Sequence, residues 1–392
     1  MRKALTYDDI NIVPKYSDIE HRDKINISTR FTKKTLLNIP IVSSPMDTVT
    51  EYGMAYEMME WGGVGVLHRF NSIEEQSLMM KRLHREWNKF FDIGDNRSLE
   101  DVYDRWVSQR IVGSYDYEDL RDDLDYQQEM TEMNTRWSKK PLCAAIGVTG
   151  DYLERAEELV KNGCNVLLID VAHGHHKLVG DAIEKIKKNI SGVEVIAGSV
   201  ATEEATKYLC EKGADAIRVG IGNGSLCETR IRTGVGIPQV TALIDCVSVA
   251  DTYNVPVIAD GGIRTVGDVC KGLACGADTI MLGSLLSGTK ETPGTIEKIG
   301  EWPNEQLYKK YRGAASLDSK HDRGDNKNVE GNHKVIPYKG KVKRIIQDIQ
   351  EGLRSSFSYV GANNISEFHS KVELTEVTGA GNIEGKPHLL DS

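Results

Sequence analysis

The sequence predicts a closed (β/α)8 barrel, and three observations lead there. First, eight short runs rich in Val and Ile recur along the chain: Ile39 to Ser43, Val64 to Leu67, Leu142 to Gly147, Asn165 to Ile169, Val193 to Ala197, Ala214 to Val219, Val255 to Ala259 and Thr279 to Leu282. Each is apolar on both faces, the pattern of a strand buried in a parallel sheet. Second, amphipathic stretches separate most of them, among them Tyr152 to Lys161, Thr202 to Lys212 and Thr241 to Tyr253, as helical crossovers require. An open doubly wound sheet is the rival. It seldom needs eight parallel strands, and no G-x-G-x-x-G follows the first run. Third, the runs are followed by Ser44-Pro45-Met46-Asp47, His68, Gly147, Asp170, Gly198-Ser199, Gly220, Asp260-Gly261-Gly262 and Gly283-Ser284. Polar and glycine residues thus gather at the carboxyl ends of the strands, where barrel enzymes build their sites.

Two regions fall outside the barrel. Residues 71–140 separate the second and third runs, read as helical and strongly charged, and carry Trp87, Trp106 and Trp137. The expected division is therefore a catalytic barrel from residues 1–70 and 141–392, with a helical insert at 71–140. From about Thr289 a tail follows, with a loop from Ser319 to His333 that has few apolar residues to bury, then a helix from Val342 to Leu353.

Composition removes several classes of function. Of the 392 residues 49 are Lys or Arg and 58 Asp or Glu, a net charge of −9. An acidic chain is a poor general nucleic-acid binder, because phosphate backbones select for basic faces. No apolar run approaches the length of a membrane span, and Asp8 and Asp9 fall where a signal peptide needs its apolar stretch. Seven cysteines form no C-x-x-C pair, so reduced thiols in the cytoplasm are expected and a zinc site is not.

The chemistry centres on Arg218-Val-Gly-Ile-Gly-Asn-Gly-Ser-Leu-Cys-Glu-Thr-Arg230. Glycines at alternate positions let a loop turn tightly and present its amides and carbonyls to a ligand. Cys227 follows them at the end of the sixth strand, where a thiolate can serve as a nucleophile. The other six cysteines fall in strands or helical stretches and read as small buried fillers. Loops after the seventh and eighth strands, Asp260-Gly261-Gly262 and Gly283-Ser284, are where barrels commonly bind phosphate through backbone N–H groups. Asp260 cannot hold a phosphate itself and suits sugar hydroxyls. His173, His175 and His176 lack carboxylate support for a metal and read as a solvated turn; Asp170, at the strand end, is the stronger candidate.

These residues add up to a pattern. The chain resembles the inosine-5′-monophosphate dehydrogenase and GMP reductase family over nearly its whole length apart from 71–140. The resemblance rests on Leu5-Thr-Tyr-Asp-Asp9, Val42-Ser-Ser-Pro-Met-Asp-Thr-Val-Thr-Glu51, Gly222-Asn-Gly-Ser-Leu-Cys-Glu-Thr-Arg230, Gly234-Val-Gly-Ile-Pro-Gln239, Ile258-Ala-Asp-Gly-Gly-Ile263, Met281-Leu-Gly-Ser284, Tyr311-Arg-Gly313 and Pro337-Tyr-Lys-Gly340. It implies a TIM barrel in which Cys227 attacks C2 of a purine nucleotide while hydride passes between C2 and a nicotinamide. Ser44, Met46, Ser225, Asp260, Gly261, Gly262, Gly283, Ser284, Tyr311 and Gly313 match the nucleotide site. Asp170, Arg218 and Ser199 match the nicotinamide side. Thr229, Glu330 and Arg323 match groups that move protons and activate water. Gly222, Gly224 and Cys227 match carbonyls offered to K+, joined by Glu384, Gly385 and Lys386 of a neighbouring subunit in a homotetramer.

The family has two branches. The dehydrogenase oxidises IMP to XMP with NAD; the reductase converts GMP to IMP and ammonia with NADPH. Ser44-Pro45-Met46 and the tail from Val377 to His388 follow the dehydrogenase, so IMP dehydrogenase is the expected activity, with GMP reductase or a non-catalytic purine-nucleotide-binding paralogue as alternatives. The insert stands where most dehydrogenases carry a tandem CBS domain and is too short for one. Other departures are Gly324 where the flap tyrosine usually follows Arg323, a short span from Tyr311 to Glu330, Ala314-Ala315 for the usual Met-Gly, and Ser199 for the usual Asn.

Overall fold

The computed structural model describes residues 2–91, 141–300, 304–313 and 333–385. Eight parallel strands close into a barrel in chain order: β1 (Ile41–Ser43), β2 (Val64–Leu67), β3 (Cys143–Ile146), β4 (Val166–Ile169), β5 (Glu194–Val200), β6 (Ala216–Val219), β7 (Val257–Asp260) and β8 (Thr279–Leu282). Every predicted run becomes a strand. The crossovers are helical: α1 (Tyr52–Glu60), α2 (Ile73–Phe91), α3 (Tyr152–Lys161), α4 (Lys177–Asn189), α5 (Glu203–Glu211), the short α6 (Thr229–Thr233), α7 (Gln239–Ala250) and α8 (Val266–Ala274). The predicted tail helix runs on to Val360 as α9 (Val342–Val360). It packs on α8 and stops at Gly361, whose φ of 72° suits a residue without Cβ.

The strand period of two decides what faces the interior. Val42, Val64, Val66, Cys143, Ala145, Val166, Leu168, Ile196, Ala216, Ile258 and Met281 form one buried cluster inside the barrel. Their strand neighbours, such as Ile41, Leu167, Ile217 and Ala259, belong to the larger core under the helices. Continuing the inward parity along the chain gives Ser44, Asp170, Arg218, Asp260 and Gly283 at the carboxyl ends. The same alternation that fills the core therefore aims these side chains at the mouth.

The other end is plugged. Thr29–Arg30 and Leu36–Leu37 pair as a hairpin, and Phe31 and Leu37 join the interior cluster. Thr35 Oγ1 donates to Glu194 Oε2 at 2.6 Å, and the Lys33 amide to the Asp215 carbonyl at 3.1 Å. Glu194 opens β5 and Asp215 just precedes β6, so the hairpin sits across the amino ends.

Within the stretch 71–140, the helix α2 packs on the barrel. Helix α2 lies against α1 and α3, with Met80, Leu83 and Trp87 in the barrel's core. Gln76, fully buried, donates to the carbonyls of Leu67 (3.3 Å) and Ala145 (2.9 Å) and accepts from Arg155 Nη1 (2.9 Å). Sequence charge made α2 look solvated, yet one of its faces is the outer wall of β2 and β3. Residues 92–140, with Trp106 and Trp137, lie outside the described residues. In the tail, Glu297–Ile299, Gln306–Arg312 and His333–Pro337 form an antiparallel sheet, and Leu374–Glu376 pairs with Ile10–Ile12. Among the described residues no helix is long and apolar enough to cross a membrane.

Candidate active site

A cleft of about 330 Å³ opens at the carboxyl ends of the strands, within the roughly 300–1,000 Å³ of small-molecule sites. Ser44, Met46, Asp170, Ser199, Arg218, Gly222, Gly224, Ser225, Cys227, Thr229, Asp260, Gly261, Gly262, Gly283, Ser284, Tyr311 and Gly313 all line it. These come from both halves of the chain, and the barrel brings them to one mouth. Four of the strand-end residues, Asp47, His68, Gly147 and Gly198, take no part in the lining. His68 is buried, its Nδ1 accepting from the Phe70 amide at 3.1 Å and its Nε2 lying 3.2 Å from Glu51 Oε1; Gly147 likewise stands off the cleft.

Cys227 is the half-buried thiol among seven free cysteines; the other six are buried. Burial pushes Cys164, Cys246 and Cys275 up to about 12 and Cys210 and Cys270 up to about 11, and Cys143 well above the usual range. Those six stay thiols at neutral pH, and none of them lines this cleft. Cys227 Sγ lies 3.1 Å from Thr229 Oγ1, and its amide donates to the Gly224 carbonyl at 3.0 Å. A candidate nucleophile and a hydroxyl able to exchange its proton thus share one turn.

Across the cleft, Arg218 joins two carboxylates. Its Nη1 donates to Asp170 Oδ1 at 2.9 Å, while Nε lies 3.0 Å from Ser199 Oγ and 3.2 Å from Asp260 Oδ2. Burial pushes the Asp260 carboxyl above the ordinary range, further than Arg218 pulls it down, and Asp170 adds to the rise. The two aspartates hold the Arg218 guanidinium charged against the cost of burying it. Gly220 makes this approach possible: a Cβ there would stand 1.9 Å from the Asp260 carbonyl.

On the opposite side the donors are neutral. Ser225 Oγ and Tyr311 Oη lie 3.2 Å apart, and burial keeps the Tyr311 phenol protonated. Gly262 adopts φ +80°, with the Tyr7 ring 3.3 Å from where its Cβ would be. The Ser284 carbonyl accepts from Lys339 Nζ at 2.8 Å. Hydroxyls and glycine amides around one corner match the chemistry of a bound phosphate.

Several lining or supporting residues escaped the sequence reading. Asn223 bonds both Gln239 and Arg230, and Arg230 also donates to the Ile237 carbonyl. Gln239 Nε2 in turn reaches the Val219 carbonyl at 2.8 Å. This clamp holds the Cys227 loop against the end of β6, and its members fall in two of the quoted stretches, Gly222 to Arg230 and Gly234 to Gln239, whose pairing the sequence does not show. Arg312 donates to Asp47 Oδ2 from Nε (3.1 Å) and Nη2 (2.8 Å), tying the strand that carries Tyr311 to the loop that carries Ser44 and Met46. Arg264 also lines the cleft.

Glu384 and Gly385 lie at the end of the helix Gly379–Glu384, which packs against the Tyr7–Asp9 turn rather than on the Cys227 loop. Arg323, Glu330 and Lys386 lie outside the described residues. Of the three histidines, His173 meets His175 edge-on, with ring centroids 6.3 Å apart. His176 caps α4, accepting from the Leu178 amide at 3.1 Å, and His175 packs on Tyr208 with ring centroids 5.2 Å apart. Among the described residues no group of three or more His, Cys, Asp or Glu could hold a metal ion.

Residues 4–388 match the family described as the IMP dehydrogenase / GMP reductase domain. The chain is 38% identical to the inosine-5′-monophosphate dehydrogenase of Cryptosporidium parvum, over 99% of this chain and 96% of that one, in an alignment of 400 residues. It is 35% identical to the enzyme of that name from Borreliella burgdorferi, over 99% and 97%. With that of Nitrosopumilus maritimus it shares 33% identity over 99% and 98%, and here the alignment extends to 476 residues. Matches of this extent, on a barrel with this cleft, establish kinship: the chain belongs to the IMP dehydrogenase / GMP reductase family.

Proposed function

We propose that this chain is an IMP dehydrogenase that oxidises IMP to XMP through a covalent adduct on Cys227. The observation that carries the reading is the position of Cys227, a partly exposed thiol on a glycine-rich loop, in one cleft with neutral phosphate donors and the partly buried Asp260. The names of the relatives above and the Ser44-Pro45-Met46 motif favour this branch.

In this mechanism the Cys227 thiolate adds to C2 of IMP, and the electron pair displaced from the C2=N3 bond moves onto the ring. Expelling hydride from C2 restores the ring double bond and leaves a thioimidate on Cys227. NAD, when bound, supplies the acceptor for that hydride. Water then adds to C2, a base takes its proton, and the thiolate departs, giving XMP. Ser225, Gly262, Gly283, Ser284 and Tyr311 bind the 5′-phosphate, and Asp260 accepts hydrogen bonds from the ribose hydroxyls. Asp170, held by Arg218, orients the cofactor's amide together with Ser199; the cleft on this side offers both a carboxylate acceptor and hydroxyl and guanidinium donors, which suits an amide. Thr229, beside the sulfur, passes protons to and from it, with Glu330 and Arg323 completing water activation.

The carbonyls of Gly222, Gly224 and Cys227 are oxygen donors of the type a hard monovalent cation takes, although the Gly224 oxygen already accepts the Cys227 amide. K+ would brace the loop there, with Glu384, Gly385 and Lys386 contributed by the next subunit of a homotetramer. GMP reductase is the second reading, favoured by the short span from Tyr311 to Glu330.

A two-substrate assay separates the branches. IMP with NAD is expected to give XMP, with a burst of reduced cofactor before a slower steady rate. The burst follows from Gly324 standing where the flap tyrosine is expected, since loss of a positioned base costs about 10²–10⁴-fold in the hydrolytic step. Faster conversion of GMP and NADPH to IMP and ammonia would instead assign the reductase.

A further inference from the structure

The nucleotide reading leaves one electrostatic question open: which charge answers the phosphate. Four charged residues line the cleft among the described residues, Asp170, Asp260, Arg218 and Arg264. Arg218 is engaged, its Nη1 and Nε already turned to the two aspartates and Ser199. The hydroxyl and glycine donors of the phosphate corner are neutral, and Lys339 gives its protons to the Ser284 and Leu285 carbonyls. A phosphate near neutral pH carries between one and two negative charges. Arg264 is the remaining cation on that side, two residues beyond Gly262.

The backbone and side chain of Arg264 are held very differently. Its amide donates to Asp268 Oδ2 at 2.9 Å, inside the capping box that Thr265 and Asp268 make at the start of α8. Asp268 is buried, so the Cα of Arg264 is fixed. The guanidinium makes a bidentate pair with Asp8, Nη1 to Oδ2 at 3.0 Å, in which both side chains are about half exposed (55% and 47%), and its Nε keeps a longer contact of 3.4 Å to Asp268 Oδ2. Water screens a pair this exposed, and a phosphate offers the same fork of donors the bidentate geometry that a carboxylate does, so it can compete for them. Asp8 lies on the Tyr7–Asp9 turn and also bonds Asn382 of the C-terminal helix.

We propose that Arg264 is a specificity-determining residue of the nucleotide site, a guanidinium parked on Asp8 that transfers to the 5′-phosphate when a nucleoside monophosphate binds. Asp8 is then the internal competitor for that charge. The inference rests on the nucleotide reading of the cleft, and it explains how a site with no net charge among its lining residues can prefer a phosphorylated ligand.

The test is calorimetric titration of the full-length protein with IMP and with inosine, its unphosphorylated counterpart. Arg264→Gln is expected to weaken IMP about tenfold to a hundredfold, the cost of losing a hydrogen bond to a charged group, and to leave inosine unchanged. Arg264→Lys should recover part of the loss. Asp8→Asn should act in the opposite direction, tightening IMP and not inosine, and it carries the test should an Arg264 variant fold poorly. In turnover, Arg264→Gln should raise KM for IMP far more than it lowers kcat. Equal weakening of IMP and inosine, or unchanged IMP affinity, overturns the proposal. Failure of the unmodified chain to bind either IMP or GMP is a different result: it removes the nucleotide reading itself.

Discussion

At the scale of single residues, Cys227 and Asp260 carry the most specific expectations. Cys227→Ala should abolish turnover of IMP with NAD, while IMP still binds, because the hydroxyls and glycines that receive the phosphate are separate from the thiol. The other six thiols are buried and protonated, so none can substitute. Substantial residual turnover would remove the thiol from the mechanism. Asp260 gives a pH dependence. As a ribose acceptor it must be ionised, and burial sets its pKa above the ordinary aspartate value of about 3.9. The ionised form is therefore lost at a higher pH than in a free aspartate as the solution is acidified. IMP affinity should fall on acidification at a higher pH than an ordinary aspartate would give, and Asp260→Asn should lose this part of the fall, since titration of the phosphate itself is common to both proteins. Stability moves the other way. A carboxyl raised on folding is a penalty at neutral pH that eases as pH falls through the folded pKa. An IMP affinity whose acid limb is the same in Asp260→Asn would exclude this role.

At the scale of elements, α2 shows how a charged helix is tied to a barrel. Its apolar residues Met80, Leu83 and Trp87 pack inward, but the register is set by Gln76, which bridges the carbonyls that close β2 and β3 and accepts from Arg155. Gln76→Ala orphans these buried groups, at about 1–3 kcal/mol for each that finds no water. A clear drop in thermal stability is expected in scanning calorimetry. Turnover per folded subunit should hold, because none of the described side chains of α2 lines the cleft. A variant as stable as the parent would show that α2 is held by apolar packing alone. In the sequence, Gln76 was one polar residue among many. Its importance arises because it is the position of α2 that meets two strand ends at once.

At the scale of the whole molecule, the cleft described above is built from the strand ends of the barrel, the Cys227 loop and the strand that carries Tyr311. Replacing 92–140 with a short Gly/Ser linker is therefore expected to leave turnover per folded subunit nearly unchanged, measured with IMP and NAD after size-exclusion purification. A loss of turnover in a folded variant would place a catalytic contribution in that stretch. The cut belongs after α2 and not at residue 71, because removing α2 would strip the outer wall from β2 and β3.

The eight strands were legible in sequence because burial on both faces leaves an unbroken apolar run, a local signal that needs no partner to be seen. Cys227, Asp260 and the glycine pairs were legible for a related reason: they follow those runs directly, and a barrel puts all strand ends on one rim. Sequence alone misjudged α2, because charge on the outer face of a helix hides the apolar stripe beneath it. It also could not show that Arg218 spans Asp170 and Asp260, residues 48 and 42 positions away, or that Arg264 reaches back to Asp8. Composition and short-range order determine the strands, their ends and the candidate nucleophile. Which charges meet is decided only when the sheet closes, since closure, not sequence distance, brings β4, β6 and β7 to a common mouth.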